Sequence, residues 1–287
     1  MPTTIPAAFS TFKSNLEITG LQASTVSTRQ QNVRSAVAKD FTVLSDFLTG
    51  SYSRSTMIAP LSEADVDVFV VLHDSYFKQD GYASLLDSVK ATLKKTYTST
   101  PAISRNGQAV TITFTDFKVD VVPGFNRNGG GFLIPDTQGK RWISTDPKKH
   151  VEISAAKNKA HDGNLVPLVK MVKQWNKTIS FPFHSFHLEV LAWSLLEGIR
   201  IDSLSTGVRY FFDKGREEIK KQNPDPSGYG GDVGSYLNQN NLPSAVSNFE
   251  TAYNRAIKAE QYAVNGQNSL AFAEWKKIFG DKFPAYS

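Results

Sequence analysis

The chain has 287 residues, of which 40% are hydrophobic, and it carries a formal net charge of +5 at pH 7. This length suits one large domain or two moderate ones, and the apolar content is enough to fill a core. The absence of cysteine excludes disulfide bonds, thiolate zinc sites and a cysteine nucleophile. Because the basic residues are scattered as doublets, the net charge does not decide between a nucleotide pocket and a nucleic-acid surface.

The N-terminal sequence lacks the basic start, apolar stretch and small-residue cleavage site of a secretory signal. No apolar run approaches the roughly 20 residues that a membrane-spanning helix needs. We therefore expect a globular, soluble, cytoplasmic protein that does not contact a membrane.

The chain is predicted to begin with helices and to reach a glycine turn. Hydrophobic spacing typical of helices runs through residues 9–37, with a break near Gly20. Residues 41–48 fit either a helix end or a strand. Gly50 then lets backbone amides turn toward an anion, and a helix that begins near Ser51 would add its N-terminal N–H groups.

Two carboxylates come next, at the start of an apolar strand. Asp65 and Asp67 precede the run of residues 68–72, and alternation along a strand places both on one face, with Cα atoms roughly 6 to 7 Å apart. Two neighbouring carboxylates repel each other and are costly to desolvate, and a bound divalent cation offsets both effects. The pattern therefore predicts a Mg²⁺ site.

The middle of the chain is predicted to contain a helix followed by a hairpin. Residues 81–97 have amphipathic helical spacing, and the Asn106-Gly107 pair is a strong hairpin signal before a strand at residues 110–114. A second turn at Asp116 leads into the next strand, so we interpret Asp116 as a turn residue and not as a metal ligand.

That next strand supplies a third carboxylate. Asp120 lies between valines in a short β-type run that we expect to end at Pro123 and Gly124. Three such acids are what a pair of Mg²⁺ ions, roughly 3.5 to 4 Å apart, needs for in-line phosphoryl or nucleotidyl transfer.

The second half of the chain is predicted to be helical. Asp146 as N-cap with Pro147 at the first helical position begins it, and Pro167 is expected to open a further helix in the same way. Helical periodicity is found in four segments, residues 167–176, 184–196, 204–221 and 245–263. Residues 126–131 and residues 223–234 are predicted loops. His184 and His187 have a spacing that suits a metal, but a closed zinc site needs four ligands.

The order Gly50-Ser51, a spacer, Asp65-Val66-Asp67 and a later Val119-Asp120-Val121 resembles the signature of the DNA polymerase β-like nucleotidyltransferase superfamily. The longer strings at residues 49–56 and 65–72 are similar to the bacterial cGAS/DncV-like nucleotidyltransferases. That family makes cyclic oligonucleotide second messengers in CBASS antiphage defence.

The resemblance extends to the helical half. Residues 168–176 and 184–189 look like the segments that oligoadenylate synthases and cyclic GMP-AMP synthases share, and both are expected to border the nucleotide pocket. The resemblance implies that Lys173 contacts the donor triphosphate, that Ser185 reaches a phosphate and that Phe186 stacks on a base. Many family members have tyrosine in place of Phe186, so stacking is retained here but a phenolic hydrogen bond is lost.

The fold that the resemblance implies is α+β, with a polymerase β-like core of mixed sheet and flanking helices, followed by a helical domain like that of oligoadenylate synthases. We expect a catalytic core at residues 1–145 and a helical nucleotide-binding domain at residues 146–287. Because cysteine is absent, the chain lacks the zinc-binding insert of animal cyclic GMP-AMP synthase, and activation by nucleic acid is not expected.

These assignments combine into an expected reaction. Asp65, Asp67 and Asp120 bind two Mg²⁺ ions, with Mn²⁺ as a substitute, and Asp120 is the expected proton acceptor. Gly50, Ser51 and Lys173 hold the triphosphate, and pyrophosphate leaves in line. The expected partners are the nucleotide triphosphate substrates, a regulatory protein, and an effector that senses the cyclic product.

Two other functions stay open from the sequence. One is a template-independent transferase that acts on an RNA or a protein hydroxyl; an RNA acceptor would require a continuous basic groove, which the scattered doublets do not suggest. The other is a nucleotide sensor without activity, and the presence of all three acids argues against it.

Overall fold

A computed structural model describes residues 2–18, 20–100, 102–181 and 183–287. The helices in this part of the chain are α1 (Ile5–Asn15), α2 (Gly20–Val37), α3 (Gly50–Ser53), α4 (Tyr82–Thr96), α5 (Pro147–Ala160), α6 (Leu165–Thr178), α7 (Ser185–Leu195), α8 (Leu204–Glu218), α9 (Leu242–Val264) and α10 (Asn268–Phe279). The strands are β1 (Val43–Thr49), β2 (Asp65–Leu72), β3 (Ala102–Asn106), β4 (Ala109–Thr113), β5 (Lys118–Asn126), β6 (Phe132–Asp136) and β7 (Arg141–Thr145). Within the described residues, no helix is both long enough and apolar enough to cross a bilayer.

Backbone contacts divide the chain into two compact units, which we call the sheet unit and the helical unit. The sheet unit is Ile18–Glu152, and the helical unit is Met1–Glu17 together with Ile153–Ser287. The assignment of a catalytic core to residues 1–145 and of nucleotide binding to residues 146–287 concerns function and stays a prediction.

A mixed sheet forms the centre of the sheet unit, in the order β1-β2-β5-β4-β3. Strands β2 and β5 are parallel, whereas the pairs β1/β2, β5/β4 and β4/β3 are antiparallel. The hairpin that Asn106-Gly107 predicts is confirmed, because Asn106 pairs with Ala109 across it. Strand β6 pairs with β5 and with β7.

The two faces of this sheet have different environments because side chains alternate along each strand. Val66, Val68 and Val119 lie on one face in a core that includes residues of α2 and α4. Phe69 and Val71 lie on the other face and pack with residues of β6. Asp65 and Asp67 share the face of Phe69, at the end of β2 where the apolar cluster stops.

The structure corrects the predicted end of the Asp120 strand. Strand β5 continues through Pro123 and Gly124 to Asn126, in parallel register with β2. Proline is tolerated because it follows Val121, the last β5 residue paired with β4, so there is no β4 ladder for it to interrupt. Gly124 is required by close packing, since a Cβ there would lie 2.7 Å from the Phe69 ring.

Other local predictions are decided by packing. Residues 41–48, which fitted a helix end or a strand, contain β1, because pairing with β2 satisfies its backbone. The helix break near Gly20 is confirmed by α1 and α2. The hairpin of β6 and β7 was not predicted from the sequence.

Aromatic packing organises the helical unit. Phe9 and Phe12 of α1 contact Phe279 and Phe283, which attaches the first helix to the C-terminal end of the chain. The four predicted helical segments are confirmed as α6 to α9. Helix α6 begins at Leu165, so Pro167 is its third residue instead of its first; proline is still tolerated there because the N–H groups of a first turn have no helical partner.

Candidate active site

Strand pairing aligns a row of polar side chains across the sheet. Asp67 pairs with Asp120 in the parallel register of β2 and β5, and each acid has a threonine as its partner on the other side. Those threonines are Thr49 of β1, opposite Asp67, and Thr111 of β4, opposite Asp120. Because residues paired across neighbouring strands project to the same face, the row brings two of the three predicted catalytic acids, Asp67 and Asp120, together.

The three acids differ in environment. Asp65 is exposed, Asp67 is half-buried, and Asp120 is 9% exposed. Burial raises the pKa of Asp120 above its ordinary value, and the charge of Asp65 adds to the increase, while a hydrogen bond from Thr111 and the charge of Lys118 oppose it. A raised carboxyl pKa is typical of a residue that accepts a proton during catalysis.

Gly50 directly follows Thr49, the last residue of β1 and one end of this row. It has φ +65° and begins the short helix α3, and its missing side chain leaves room for Asp67. A Cβ at this position would lie 1.8 Å from Asp67 Oδ2. Glycine is therefore required both by the backbone conformation and by the carboxylate that packs over it.

Gly50→Ala is expected to reduce turnover about a hundredfold, because the new methyl group forces the Asp67 carboxylate out of place. Gly107→Ala is the matched control. Gly107 also has a positive φ, +60°, but a Cβ there would meet no atom within 4 Å. Both variants therefore share the backbone strain, and only Gly50→Ala displaces an acid. Equal turnover in the two variants, measured with purified protein, would contradict this role of Gly50.

The donor set of the three acids fits a hard cation. Mg²⁺ takes oxygen ligands, and it is commonly held by one or two carboxylates together with water and substrate phosphates. Among the described residues, no three His, Cys, Asp or Glu side chains converge into a metal cage by themselves. The acids thus fit an open magnesium site that a phosphate completes, and they do not form a closed structural site.

The rest of the predicted phosphate-binding segment surrounds Gly50. Ser51 is half-buried in α3, and its carbonyl oxygen accepts hydrogen bonds from the backbone N–H groups of Thr56 and Met57. These bonds fold residues 51–57 into a tight turn. The sheet unit therefore brings Gly50, Ser51 and the three acids to one region, and their role in binding stays a prediction.

Lys173 has a different environment from the one its predicted role suggests. It lies on α6 and is 6% exposed, and its Nζ forms a 2.6 Å ion pair with Oε1 of Glu189, a residue of α7 that is fully buried. No role was predicted for Glu189, although a carboxylate inside the apolar run of residues 188–193 is a signal of a buried partner.

Ser185 and Phe186 begin α7. Ser185 is exposed, Phe186 is half-buried, and the Phe186 ring contacts Trp193 edge-on at 6.0 Å. The helical unit thus places Ser185 and Phe186 at one helix end, where a ligand can reach them, whereas the Lys173 ammonium group is inside the packing of α6 and α7. The structure leaves the role of each as a prediction.

Tyr236, in the segment between α8 and α9, holds the start of α7. Its hydroxyl accepts a hydrogen bond from the His184 backbone N–H and lies 3.0 Å from Nδ1 of His187, and its ring stacks on His184 at 3.8 Å. The side chain of His187 is fully buried, and its Nε2 has no hydrogen-bond partner among the described residues. The two histidines are thus arranged around a tyrosine.

Burial lowers the pKa of His187 to about 4; the charge of Asp232 opposes this shift and that of His184 adds to it. Because the unfolded chain has the ordinary pKa of about 6.5, it binds more protons than the folded protein between pH 6.5 and 4. Stability is therefore expected to fall as the pH falls through this window, by at most about 3 kcal/mol. Urea unfolding at several pH values measures this loss of stability. His187→Gln should remove the part of the loss that comes from His187, whereas His73→Gln, which changes an exposed histidine, should leave it unchanged.

Comparison with known proteins identifies a matching family model and related sequences. A family model described as "Second Messenger Oligonucleotide or Dinucleotide Synthetase domain" (SMODS) matches residues 3–158. A probable cyclic nucleotide synthase of Bacillus cereus (strain VD146) is 29% identical over 192 residues, which are 64% of this chain and 57% of that protein. A cyclic AMP-AMP-AMP synthase of Acinetobacter sp. is 28% identical over 271 residues, covering 83% of this chain and 72% of that protein. The match thus spans little more than half the length of the Bacillus relative.

Solved structures show the same fold. CdnC of Escherichia coli MS115-1, determined with ATP, superposes with a TM-score of 0.78 at 19% identity and covers 98% of this chain and 99% of that chain. A complex of the same protein with HORMA-deltaN gives a TM-score of 0.78 at 18% identity, with 98% of both chains covered. The predicted α+β polymerase β-like fold, a mixed sheet with flanking helices, is confirmed.

Proposed function

Since this chain belongs to the SMODS family, we propose that it joins nucleotide triphosphates into a cyclic oligonucleotide second messenger and releases pyrophosphate. The observation that carries the proposal is the β2/β5 register, which sets Asp67 beside Asp120, with Asp65 one alternation away on the same face. Paired carboxylates at one end of a sheet, above a glycine turn, are the arrangement that metal-assisted nucleotidyl transfer needs.

In the proposed site Asp65, Asp67 and Asp120 would hold divalent metal, and we propose two Mg²⁺ ions with Mn²⁺ as a substitute. When bound, the metal lowers the pKa of the acceptor hydroxyl and neutralises charge on the phosphates. Thr111 holds Oδ1 of Asp120, so we assign proton acceptance to Oδ2.

The remaining residues bind and orient the nucleotides. Backbone N–H groups at Gly50 and the hydroxyl of Ser51 would hold a triphosphate. On the helical unit, Ser185 would contact a phosphate and Phe186 would stack on a base. Lys173 would contact the donor triphosphate, which requires it to exchange or share its ion pair with Glu189.

Two features of the relatives guide the choice of substrates and partners. ATP is the first substrate to test, because one relative is named a cyclic AMP-AMP-AMP synthase and a protein of the same fold was solved with ATP. A HORMA-type regulatory protein is the first partner to test, because such a protein is bound in the CdnC complex. We propose that the product acts in CBASS defence through an effector that senses it, and that the protein works in the cytoplasm.

The test is a product assay with the purified protein. Incubation with the four labelled nucleotide triphosphates and Mg²⁺, followed by phosphatase treatment, chromatography and mass spectrometry, is expected to yield a phosphatase-resistant cyclic product. Label transferred to added RNA or to protein would replace this proposal by a transferase acting on those acceptors. A protein that binds nucleotide in the absence of metal, and that forms no product either alone or with a HORMA-type partner, would instead be a nucleotide sensor.

A further inference from the structure

Thr111 of β4 contacts the proposed catalytic acid Asp120 from the neighbouring strand. Its Oγ1 donates a hydrogen bond to Oδ1 of Asp120 at 2.5 Å. The two residues are 7% and 9% exposed, and they are paired directly across β4 and β5. A short hydrogen bond between two buried side chains on neighbouring strands restricts the rotation of both, because each backbone is held by the sheet ladder.

Restriction of the Asp120 carboxylate matters for a cation. A carboxylate has two oxygens, so one can be held by a donor while the other is directed to a ligand. Hydrogen-bond donors behind a ligating carboxylate orient it, and their loss commonly lowers metal affinity or activity by 10- to 100-fold. The strand register offers Asp120 no replacement for this donor. Its neighbour on β2 is Asp67, which is also an acid.

We infer that Thr111 is a positioning residue, which orients the Asp120 carboxylate toward the divalent cation and the acceptor hydroxyl. This inference rests on the proposed function, because it assigns Thr111 a role through Asp120. In this role the Thr111 hydroxyl acts through Asp120, by holding its Oδ1. A valine would fit the same space in the sheet but would leave Oδ1 without its donor.

The chain offers a matched control two residues along the same strand. Thr113 lies on the same face of β4 as Thr111, but it pairs with Lys118 instead of with an acid. Thr113→Val therefore removes an equivalent hydroxyl without removing a donor from Asp120. Thr111→Ser keeps the hydroxyl and removes only a methyl group, which separates hydrogen bonding from packing.

The experiment compares wild type with Thr111→Val, Thr111→Ser and Thr113→Val, at a temperature below the melting midpoint of every variant. Binding of Mn²⁺ alone is measured by electron paramagnetic resonance, and kcat, KM and the half-saturating Mg²⁺ concentration by product formation. Thr111→Val is expected to weaken Mn²⁺ binding and to raise the Mg²⁺ requirement about tenfold, and to lower kcat 10- to 100-fold with KM for the nucleotide within about twofold. Thr111→Ser and Thr113→Val are expected to stay within about threefold of wild type.

The outcomes separate this inference from the proposed function. If wild type makes the cyclic product and Thr111→Val binds Mn²⁺ and turns over as wild type does, Thr111 has no positioning role, and the proposed function stands. An equal loss in Thr111→Ser would also overturn the inference, because packing and not the hydroxyl would be responsible. Wild-type protein that neither binds Mn²⁺ nor makes product would overturn the proposed function, and the inference with it.

Discussion

Asp67→Asn is expected to lower the rate of cyclic product formation by about a thousandfold or more, which corresponds to roughly 4 kcal/mol of transition-state stabilisation. Asparagine has nearly the same size as aspartate, so the parallel pairing with Asp120 and the packing over Gly50 are kept. The charge that a divalent cation needs is lost. Product formation at saturating nucleotide and Mg²⁺ is the measurement.

Stability provides a second readout for the same variant. The carboxylates of Asp67 and Asp120 are neighbours across β2 and β5, so in a metal-free buffer they repel each other. Removing one charge is therefore expected to leave the melting midpoint in EDTA equal to or above that of wild type, although synthesis is lost. Asp80→Asn changes an exposed acid and should affect neither. Asp67→Asn that melts far below wild type would mean that Asp67 is a structural residue.

Glu189→Ala is expected to produce the largest loss of stability, about 3 to 5 kcal/mol in the free energy of unfolding. The reason is that Lys173, 6% exposed, would keep its charge inside the contact of α6 and α7 without the carboxylate that now lies 2.6 Å away. Urea unfolding at neutral pH measures the effect. Glu217→Ala, which breaks an exposed ion pair with Lys220, should not move the denaturant midpoint measurably.

A double variant separates the structural role of this ion pair from a role in catalysis. Lys173→Met with Glu189→Leu replaces the two charges by apolar side chains of similar size, and it is expected to regain most of the stability that Glu189→Ala loses. If Lys173 contacts the donor triphosphate, the folded double variant should still have a strongly raised KM for nucleotide or no turnover. A folded double variant with wild-type kinetics would show that the pair serves packing alone.

The sequence was sufficient where the chemistry is local and ordered along the chain. The Gly50-Ser51 pair, the alternation of Asp65 and Asp67 with buried valines, and Asp120 between valines identified the acids and the strands that carry them. The Asp146-Pro147 pair identified the start of α5, whose Lys149 backbone N–H donates to Oδ1 of Asp146. In each case the residues that decide the structure are a few positions apart.

Structure could not be predicted from the sequence where a segment depends on a pairing or packing partner that is distant along the chain. Residues 41–48 could not be assigned alone, because a short apolar segment becomes a strand only when another strand satisfies its backbone. The hairpin of β6 and β7 depends likewise on the free end of β5. Glu189 was visible as a charge in an apolar helix, but its ion pair with Lys173 of α6 was not.

By itself the sequence determined which residues are acids and which segments alternate with period two or have helical spacing, and its motifs carried the resemblance that implied the class of fold and predicted nucleotidyltransferase chemistry. Only the tertiary structure decided the register. It set Asp67 beside Asp120, placed the hydroxyl of Thr111 on the far side of Asp120, and buried Lys173 against Glu189. The physical reason is that a side chain's environment is set by backbone pairing and packing between segments far apart in the chain, which local spacing does not encode.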